Sequence, residues 1–369
     1  MNSITGSAPG RLDLLGGVAD YSGALVLEVP THLTTSVLAV PADALAVGPV
    51  HLTVDEIVTL AHLSYSDLRD ALTPLPRWTR YVIGVALVLV RQRVIEPPQV
   101  RLTVSSEVPQ SVGVSSSAAL EVATARALGA GAIDPLRLAA LCQEAENQVV
   151  GAPCGIMDQV AVAVGRAGEV LPLLCRPASV RPSLPLPEGI EVVGWPTGAE
   201  HEVSGSPYRR ARAAAFMGRR IIEEQTARSW PWVSALPVDA LAALPDALDG
   251  AAFLDRWGET GDDVTTVDPT ETYPVRAATS FGGEEHRRAE AALVALERHD
   301  GAALGPLMAA SHAGYDAMGL GHPAATAAVD EILDRDGVHG ARSSGGGSGG
   351  TVVVLCERGA LDDVGNLIR

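Results

Sequence analysis

The sequence predicts an α+β protein built from two domains. Its 369 residues are too many for one compact core and suit two packed domains. The order of strand-like and helix-like segments is that of α+β domains, and no internal repeat is present. A stretch rich in proline and serine, 176–187, divides the chain near its middle. We therefore expect one domain over residues 1–185 and a second over residues 186–369.

In the first half, prolines mark most of the predicted boundaries. Pro30 separates two β-branched stretches, and Asp134 followed by Pro135 provides a cap and a first-turn proline for a helix. Alternating polar and apolar residues indicate a half-buried strand just after the Pro97-Pro98 pair. The predicted elements are strands at 24–29, 33–40 and 99–104, and helices at 81–93, from Ser115, and from Asp134 towards Val149.

In the second half, apolar runs and helical periodicity predict two strands and four helices. The segment 236–263 gives mixed signals and is left without a predicted structure. The predicted elements are strands at 191–195 and 351–355, and helices at 208–225, 284–298, 305–318 and 324–334.

Composition excludes several classes of protein. Hydrophobic residues make up 47% of the chain and charged residues 19%, so the chain has enough apolar surface to form a core. The net charge of −17 argues against nucleic acid and against an anionic membrane surface as partners. All 27 basic residues are arginine, which removes Schiff-base chemistry, the P-loop lysine and the protein-kinase lysine.

Cysteine spacing and terminal sequence point to an ordinary cytoplasmic protein. The four cysteines form no C-x-x-C pair, so a zinc site or dithiol motif has no support. The first residues lack the basic and apolar regions of a signal peptide. The longest apolar run, 81–90, is about half the ~20 residues that span a bilayer. We expect a cytoplasmic monomer or weak dimer.

The loop 109–117 is the first candidate binding segment. A strand precedes it and a helix follows it, so small residues and a helix N-terminus would face an anion together. Its three consecutive serines, 115–117, offer hydroxyls to phosphate or Mg²⁺. A serine-capped helix start without a ligand is the alternative. The loop is not a Walker A sequence, because the Gly-Lys-Ser/Thr ending is missing.

The second candidate is the segment 343–350, which consists almost entirely of glycine and serine. Its glycines formally match G-x-G-x-x-G, but the segment leads into a strand, whereas the dinucleotide motif opens a helix. A flexible linker is one interpretation. We prefer a tight turn against which a ligand or another backbone segment lies closely.

Charged side chains provide the remaining candidates. Glu146 and Asp158 flank a glycine- and proline-rich bend that could bring both carboxylates into one cleft. Arg11 suits an anion and Asp20 a hydroxyl group, both within a glycine-rich stretch near the N-terminus. Surface carboxylates without a role, and a simple turn between two strands, are the alternatives.

These four segments together resemble the signature motifs of the GHMP sugar and metabolite kinases, in order and in spacing. The matching stretches are Pro9–Gly16, Val108–Ala119 and Gly340–Gly350. The Gly-Ile-Met-Asp-Gln sequence at 155–159 resembles the galactokinase branch, as do His201, Tyr208 and Arg212. Ser111 stands where galactokinases have glycine, so a positive φ there would strain it by about 1 kcal/mol.

One departure points to a narrower group. Galactokinases carry Gly-Glu-His-Thr-Asp-Tyr in the first motif, and their glutamate contacts the hydroxymethyl group of the sugar. This chain has Gly-Gly-Val-Ala-Asp-Tyr at 16–21, with Gly17 in place of the glutamate. The kinase portion of plant L-arabinokinases has the same altered motif, which suits a sugar without C6.

The resemblance implies a two-domain GHMP kinase fold, with an N-terminal domain like ribosomal S5 domain 2 and a C-terminal ferredoxin-like domain. It implies ATP and Mg²⁺ as cofactors and a monosaccharide as substrate. The expected reaction gives L-arabinose 1-phosphate and ADP. A galactokinase, a kinase of broad sugar tolerance, and a sugar and ATP sensor without turnover are the alternatives.

The resemblance also implies a role for each site residue. Asp158 would deprotonate the C1 hydroxyl, and Arg11 would pair with that carboxylate and stabilise the transferred phosphoryl group. Ser117 and Glu146 would hold Mg²⁺. The residues expected to bind the sugar are Gly17, Asp20, Tyr21, Gly155 and Tyr208. Those expected to bind ATP are Gly113, Val114, Ser115, Ser116, Ser117, Gly346 and Gly347.

Overall fold

The computed structural model describes residues 3–199 and 206–369. Their internal contacts divide the chain into two compact units. Unit 1 contains residues up to 11, 30–110 and 115–167; unit 2 contains 12–29, 111–114 and 168–369. The division into domains at residue 185 stays a prediction.

Unit 1 combines a small sheet with a group of helices. Its strands are β1 (Ile4–Leu15), β2 (Leu25–Pro41), β3 (Leu45–Val47), β4 (Val50–Leu52) and β5 (Val100–Ser106), of which β1 and β2 also contribute residues to unit 2. Its helices are α1 (Val54–His62), α2 (Tyr65–Leu72), α3 (Arg77–Arg91), α4 (Ser116–Ala127), α5 (Pro135–Glu144) and α6 (Met157–Val164).

Strand β2 runs through Pro30, where the sequence predicted a break. Residues 25–28 of β2 pair with one neighbour, 171–174, and residues 35–41 pair antiparallel with β5. Pro30 lies between these two stretches. Proline has no amide hydrogen and cannot donate a hydrogen bond to a neighbouring strand. Because Pro30 lies outside both paired stretches, no such bond is lost and the strand continues through it.

Helices α1, α2 and α5 of unit 1 each begin at a residue whose side chain caps the first turn. The Asp134 side chain accepts a hydrogen bond from the amide of Arg137, with Pro135 in the first turn, so the predicted helix start is confirmed. Helix α3 begins at Arg77, four residues earlier than expected, and its apolar run is buried in the unit's core.

A wide helical turn follows α5. The α-helix ends at Glu144, and Ala145–Val150 continues as a single π-helical turn. Gly151, with φ of 77°, ends it in the left-handed region that glycine adopts freely. Such turns are frequent at functional sites, and this one presents Glu146.

Unit 2 contains more strands, several of them short. Its strands are β6 (Glu169–Cys175), β7 (Ala178–Val180), β8 (Leu184–Pro185), β9 (Ile190–Pro196), β10 (Leu248–Asp249), β11 (Thr272–Tyr273), β12 (Val338–Ser343) and β13 (Thr351–Glu357). Its helices are α7 (Ser206–Thr226), α8 (Val238–Ala242), α9 (Gly250–Trp257), α10 (Val275–Glu297), α11 (Leu304–Ala317) and α12 (Pro323–Leu333).

Two hydrophobic cores stabilise unit 2. Strands β12, β13 and β9 form an antiparallel sheet in that order, and α12 covers it through residues such as Ile332. Helices α7, α10 and α11 share a second core that contains Phe216, Phe281 and Tyr315. The predicted strands and helices of this half are confirmed, although α10 begins at Val275, nine residues before its predicted start.

Among the described residues, no helix has both the length and the apolar composition needed to cross a bilayer.

Candidate functional site

The serines after the loop 109–114 open helix α4. Ser115 has φ of 62°, and its carbonyl accepts the first helical hydrogen bond, from Ala119 at 3.0 Å. The preceding amides therefore have no partner within the helix. The buried Ser115 hydroxyl has no hydrogen-bond partner within residues 3–199 and 206–369. A buried hydroxyl without a partner at the N-terminus of a helix suits an anionic ligand such as a phosphate group.

The loop contains backbone conformations that favour glycine. Gly113 has φ of 79° and Ser111 has φ of 57°. The positive φ that the sequence raised as a source of strain at Ser111 is therefore present. Its cost for a residue with a side chain is about 1 kcal/mol.

Glu146 is a buried carboxylate within hydrogen-bonding reach of several groups. It accepts a hydrogen bond from the Ser117 hydroxyl, one from the Gln159 side-chain amide (2.6 Å) and one from the Cys154 thiol (3.5 Å). Burial and the nearby negative charge of Asp158 outweigh these bonds and raise the pKa of Glu146 to about 7. A cation bound beside Glu146 would lower this pKa by attraction to the ionised carboxylate.

A second acid, Glu121 on α4, lies on the other side of the same amide. The Gln159 amide nitrogen donates to Glu121 at 3.2 Å as well as to Glu146. Glu121 is 0% exposed, and burial followed by repulsion from Glu146 raises its pKa well above the usual range. Burial therefore favours the protonated form of Glu121. We call Glu121, Glu146 and Asp158 the carboxylate cluster.

Asp158 is the accessible member of the carboxylate cluster. It lies in the first turn of α6, and Arg11 donates to its Oδ1 from Nε (3.0 Å) and from Nη2 (2.8 Å). The arginine side chain is 2% exposed, whereas that of the aspartate is 20% exposed. The buried guanidinium thus orients a carboxylate that a ligand can reach.

Asn147 holds the bend between Glu146 and Asp158 in place. Its side chain accepts from the Cys154 amide at 2.8 Å and donates to the Cys154 carbonyl at 3.2 Å. Gly155 is buried at the next position. The predicted meeting of Glu146 and Asp158 at this bend is therefore observed, and two hydrogen bonds to one residue make the bend rigid.

In unit 2, the turn Gly17–Ser22 carries Asp20 and Tyr21. Asp20 is buried, and its Oδ1 accepts from the Tyr21 amide at 2.6 Å. Gly17 has φ of 51°, and a Cβ built there would overlap the Tyr315 hydroxyl and lie 2.8 Å from Asp13. The turn therefore excludes any side chain at position 17.

Aromatic rings and one ion pair surround Tyr21. Its ring is edge-on to Tyr208 at 6.1 Å between centroids, and the Arg212 guanidinium lies 5.4 Å from its centroid. Arg212 pairs with Asp262 through two hydrogen bonds, of 2.9 and 2.8 Å, and both side chains are less than 8% exposed. We call these four residues the aromatic cluster: Tyr21, Tyr208, Arg212 and Asp262.

Electrostatics fix the protonation states of the aromatic cluster. Burial raises the pKa of Tyr21 well above its usual range, so the phenol stays neutral. Burial opposes the charge on Arg212, but the paired bond to Asp262 outweighs it, and the pKa of Arg212 is raised. The aromatic cluster thus presents two aromatic rings, a neutral Tyr21 phenol and a closed Arg212–Asp262 ion pair.

The glycine-rich segment forms the loop of a hairpin between β12 and β13. Ser344 donates from its amide to the Thr351 carbonyl at 2.9 Å and from its hydroxyl to the Gly113 carbonyl at 3.3 Å. Gly347 has φ of 76°, and a Cβ there would lie 2.7 Å from the Leu320 carbonyl. Such close backbone approach agrees with the tight turn that the sequence predicts, with Gly346 at its half-buried tip and Val114 buried.

Several of the predicted site residues are therefore grouped within their own units. Arg11, Ser117, Glu146 and Asp158 meet in unit 1, whereas Asp20, Tyr21 and Tyr208 meet in unit 2. His201 lies outside the described residues. Their assigned roles in binding and catalysis stay predictions.

The sequence did not predict Glu121, Asp262 or Tyr315 as site residues. An acid within the apolar stretch Ala118–Ala123 was a signal for Glu121. Asp262 lies in the segment of mixed signals, so the sequence offered nothing that pointed to it.

The donor set of the carboxylate cluster suits magnesium more than a transition metal. In the described ranges, no group of three histidine, cysteine, aspartate or glutamate side chains is arranged as a metal site. Mg²⁺ needs only one or two protein oxygens when substrate phosphates complete its shell. The Glu146 carboxylate and the Ser117 hydroxyl fit that requirement.

Comparison with known proteins identifies the family. Two family models match, "GHMP kinases N terminal domain" over residues 80–166 and "GHMP kinases C terminal" over residues 292–366. A galactokinase from Chloroflexus aggregans is 33% identical, over 96% of this chain and 84% of its own. The chain belongs to the GHMP kinase family. The predicted relationship to galactokinase and L-arabinokinase is confirmed, and ATP is the phosphoryl donor of this family.

A second relative covers only part of its own length. The L-arabinokinase of Arabidopsis thaliana is 32% identical over 94% of this GHMP kinase, but the match spans 42% of the plant protein. The chain therefore spans less than half the length of that relative.

Solved structures confirm the fold. The galactokinase of Lactococcus lactis, crystallised with galactose, superposes with a TM-score of 0.78 at 21% identity, over 98% of this chain and 87% of that one. The predicted two-domain α+β GHMP kinase fold is confirmed.

Proposed function

We propose that this GHMP kinase transfers the γ-phosphoryl group of ATP to the C1 hydroxyl of L-arabinose. The observation that carries the proposal is the Arg11–Asp158 pair, in which a buried guanidinium orients an accessible carboxylate beside the buried Glu146. Asp158 takes the hydroxyl proton as the sugar oxygen bonds to the γ-phosphorus. The bond from that phosphorus to the β–γ bridging oxygen breaks, and ADP leaves.

The remaining residues position the reactants and neutralise charge. Ser117 and Glu146 would hold Mg²⁺, which supplies positive charge to the ATP phosphates. The Ser115 hydroxyl and the backbone amides at the start of α4 would bind phosphate oxygens. Arg11 stabilises charge on the transferred group, in addition to orienting Asp158. Gly346 and Gly347 would approach the nucleotide with their backbones.

The aromatic cluster and its neighbouring turn are the sugar-binding part of the proposal. The Asp20 carboxylate can accept hydroxyl groups, and the Tyr21 and Tyr208 rings offer apolar faces to sugar carbons. Gly155 belongs to the same proposed set. Gly17 provides no group for a hydroxymethyl substituent, which favours a pentose without C6.

Galactose is the second candidate substrate. The galactokinase from Chloroflexus aggregans matches this chain as well as the plant L-arabinokinase does, at 33% against 32% identity. The motif around Gly17 is what favours the pentose.

A parallel assay decides between them. ADP release with Mg·ATP is measured against L-arabinose, D-galactose, D-glucuronate and D-glucose. We expect the highest kcat/KM for L-arabinose. A highest value for galactose would reject the pentose proposal, and sugar binding without turnover on any sugar would indicate a sensor.

A further inference from the structure

The turn Gly17–Ser22 is held by side chains that the proposed reaction does not use. Glu285 on α10 accepts from the Gly16 amide at 2.9 Å, and Tyr315 on α11 accepts from the Val18 amide at 3.0 Å. Ser311 donates to the same Glu285 oxygen at 2.6 Å. Two helices thus fix the backbone on either side of Gly17.

Tyr315 also contacts the glycine-rich segment. Its hydroxyl donates to the Gly345 carbonyl at 2.5 Å, and a Cβ at Gly347 would lie 3.0 Å from its ring. One hydroxyl therefore accepts from Val18 and donates to Gly345. Both backbone groups are buried, so each would lack a partner without it.

The Tyr315 side chain is itself immobilised. It is 0% exposed, its ring packs edge-on to Phe281 with centroids 5.5 Å apart, and the Arg342 guanidinium lies 5.1 Å from its centroid. Arg342 is in turn paired with buried Asp13 at 2.9 Å. Because these contacts hold the ring in place, its hydroxyl has a fixed position, and the two segments bonded to that hydroxyl are fixed relative to each other.

We propose that Tyr315 is a positioning residue, which sets the conformation of the proposed sugar-binding turn and of the proposed nucleotide-binding segment through one hydroxyl group. The same oxygen fills the space into which a side chain at position 17 would extend. Selectivity at position 17 therefore depends on Tyr315 as well as on Gly17. The inference rests on the proposed function for the identity of the two ligands.

The first test compares Tyr315→Phe with Tyr273→Phe. Tyr273 is a matched control, because it is also buried in unit 2 and its hydroxyl accepts from a backbone amide, that of Asp268, at 2.7 Å. Y315F leaves the Val18 amide and the Gly345 carbonyl without this partner, so both segments should move. We therefore expect KM for L-arabinose and for ATP to rise by about fivefold or more each. Y273F should lower the Tm and change neither KM by more than about twofold. Unchanged KM values in Y315F would overturn the proposal.

The second test is a melting cycle that needs no turnover. Gly17→Ala, Tyr315→Phe and the double variant are compared with the wild type. Because the new Cβ overlaps the Tyr315 oxygen, we expect G17A to lower the Tm less in the Y315F background than in the wild type. Equal decreases in the two backgrounds would show that the oxygen does not restrict position 17.

The two tests separate failure of the inference from failure of the proposed function. A wild-type protein without turnover on any sugar would reject the proposed function. The melting cycle would still show whether the Tyr315 oxygen restricts position 17. If Y315F is too unstable to assay, G17A replaces it, since its Cβ displaces the same oxygen. G17A is then expected to raise both KM values, and unchanged values would overturn the proposal.

Discussion

The carboxylate cluster of unit 1 and the aromatic cluster of unit 2 differ in how their buried charges are compensated. Arg212 and Asp262 neutralise each other through two hydrogen bonds within the aromatic cluster. In the carboxylate cluster Arg11 pairs with Asp158, and burial raises the pKa values of the other two acids, Glu121 and Glu146. The first arrangement is complete without a ligand. In the second, a bound cation would favour the ionised form of Glu146.

The difference suggests what each cluster contributes. A preformed, charge-balanced surface suits a neutral ligand, whose binding adds no charge to the cluster. Acids with raised pKa values suit a step that requires a metal ion or a proton acceptor.

Asp158→Asn should have the largest effect. The variant keeps an oxygen for Arg11 but cannot take a proton, so we expect kcat to fall by about 10²–10⁴. Binding of sugar and ATP, measured by calorimetry, should stay close to that of the wild type. The Tm should fall, because the buried Arg11 guanidinium loses its charged partner. Asp55→Asn, an acid in the first turn of α1, is the control and should leave kcat unchanged. A kcat for D158N within a few-fold of wild type would reject Asp158 as the base.

Asp262→Asn tests the balance of the aromatic cluster. Removing one charge of a buried pair leaves the other uncompensated, and we expect a loss of about 3 kcal/mol in stability. Asp363→Asn is the control, because the Arg335–Asp363 pair is exposed and should contribute about 0–1 kcal/mol. Thermal melting measures both variants. Equal Tm values for D262N and D363N would mean that the aromatic cluster does not depend on its ion pair.

Glu146→Gln tests whether the carboxylate cluster is strained without a cation. The pKa of Glu146 is about 7 in the folded protein against 4.5 for the free group, so the unfolded chain releases its proton first. Between these values, wild-type stability falls as pH rises, and above pH 7 the loss is complete. Without Mg²⁺, E146Q should match the wild type at pH 4.5 and melt higher at pH 8.

Magnesium and a second variant complete that test. Adding Mg²⁺ with a nonhydrolysable ATP analogue should raise the Tm of the wild type more than that of E146Q. Glu56→Gln is the control, and its stability should depend on pH in the opposite direction. Hydrogen bonds from Thr53 lower the pKa of Glu56 in the folded protein, whereas the pKa of Glu146 is raised. The stability that Glu56 contributes is present above pH 4.5, so E56Q should lower the Tm at pH 8. An E146Q variant whose Tm difference does not change with pH would contradict the proposed strain.

Ser111→Gly should have the smallest effect. Ser111 has φ of 57°, and glycine removes a backbone strain of about 1 kcal/mol, partly offset by its greater freedom in the unfolded chain. We expect a Tm equal to or slightly above that of the wild type. Ser105→Gly, in the regular part of β5, is the control and should lower the Tm. A lower Tm for S111G would show that the serine side chain stabilises the loop.

Local patterns in the sequence predicted the elements, and motifs predicted the candidate residues. Neighbouring residues or a family motif were enough to predict three features. These are the helix start at Asp134-Pro135, the strands 191–195 and 351–355, and the pairing of Arg11 with Asp158. The continuity of β2 through Pro30 was missed, because the sequence does not show that the two pairing partners of this strand lie on either side of the proline.

The unpredicted residues depend on contacts between distant segments. Asp262 meets Arg212 fifty residues away, and Tyr315 meets Gly17 across nearly the whole chain. No local pattern indicates either pair. The effect of Gly17 illustrates the difference: the sequence shows the absence of a glutamate, whereas the structure shows that Tyr315 leaves no space for one.

The most direct test of the account is the ³¹P NMR spectrum of the product formed from L-arabinose and Mg·ATP. We expect the wild type to form a product whose phosphate signal is coupled to the anomeric proton, and Asp158→Asn to form almost none of it. A sugar phosphate whose phosphorus couples to another proton, or the same anomeric product formed equally fast by the variant, would contradict it.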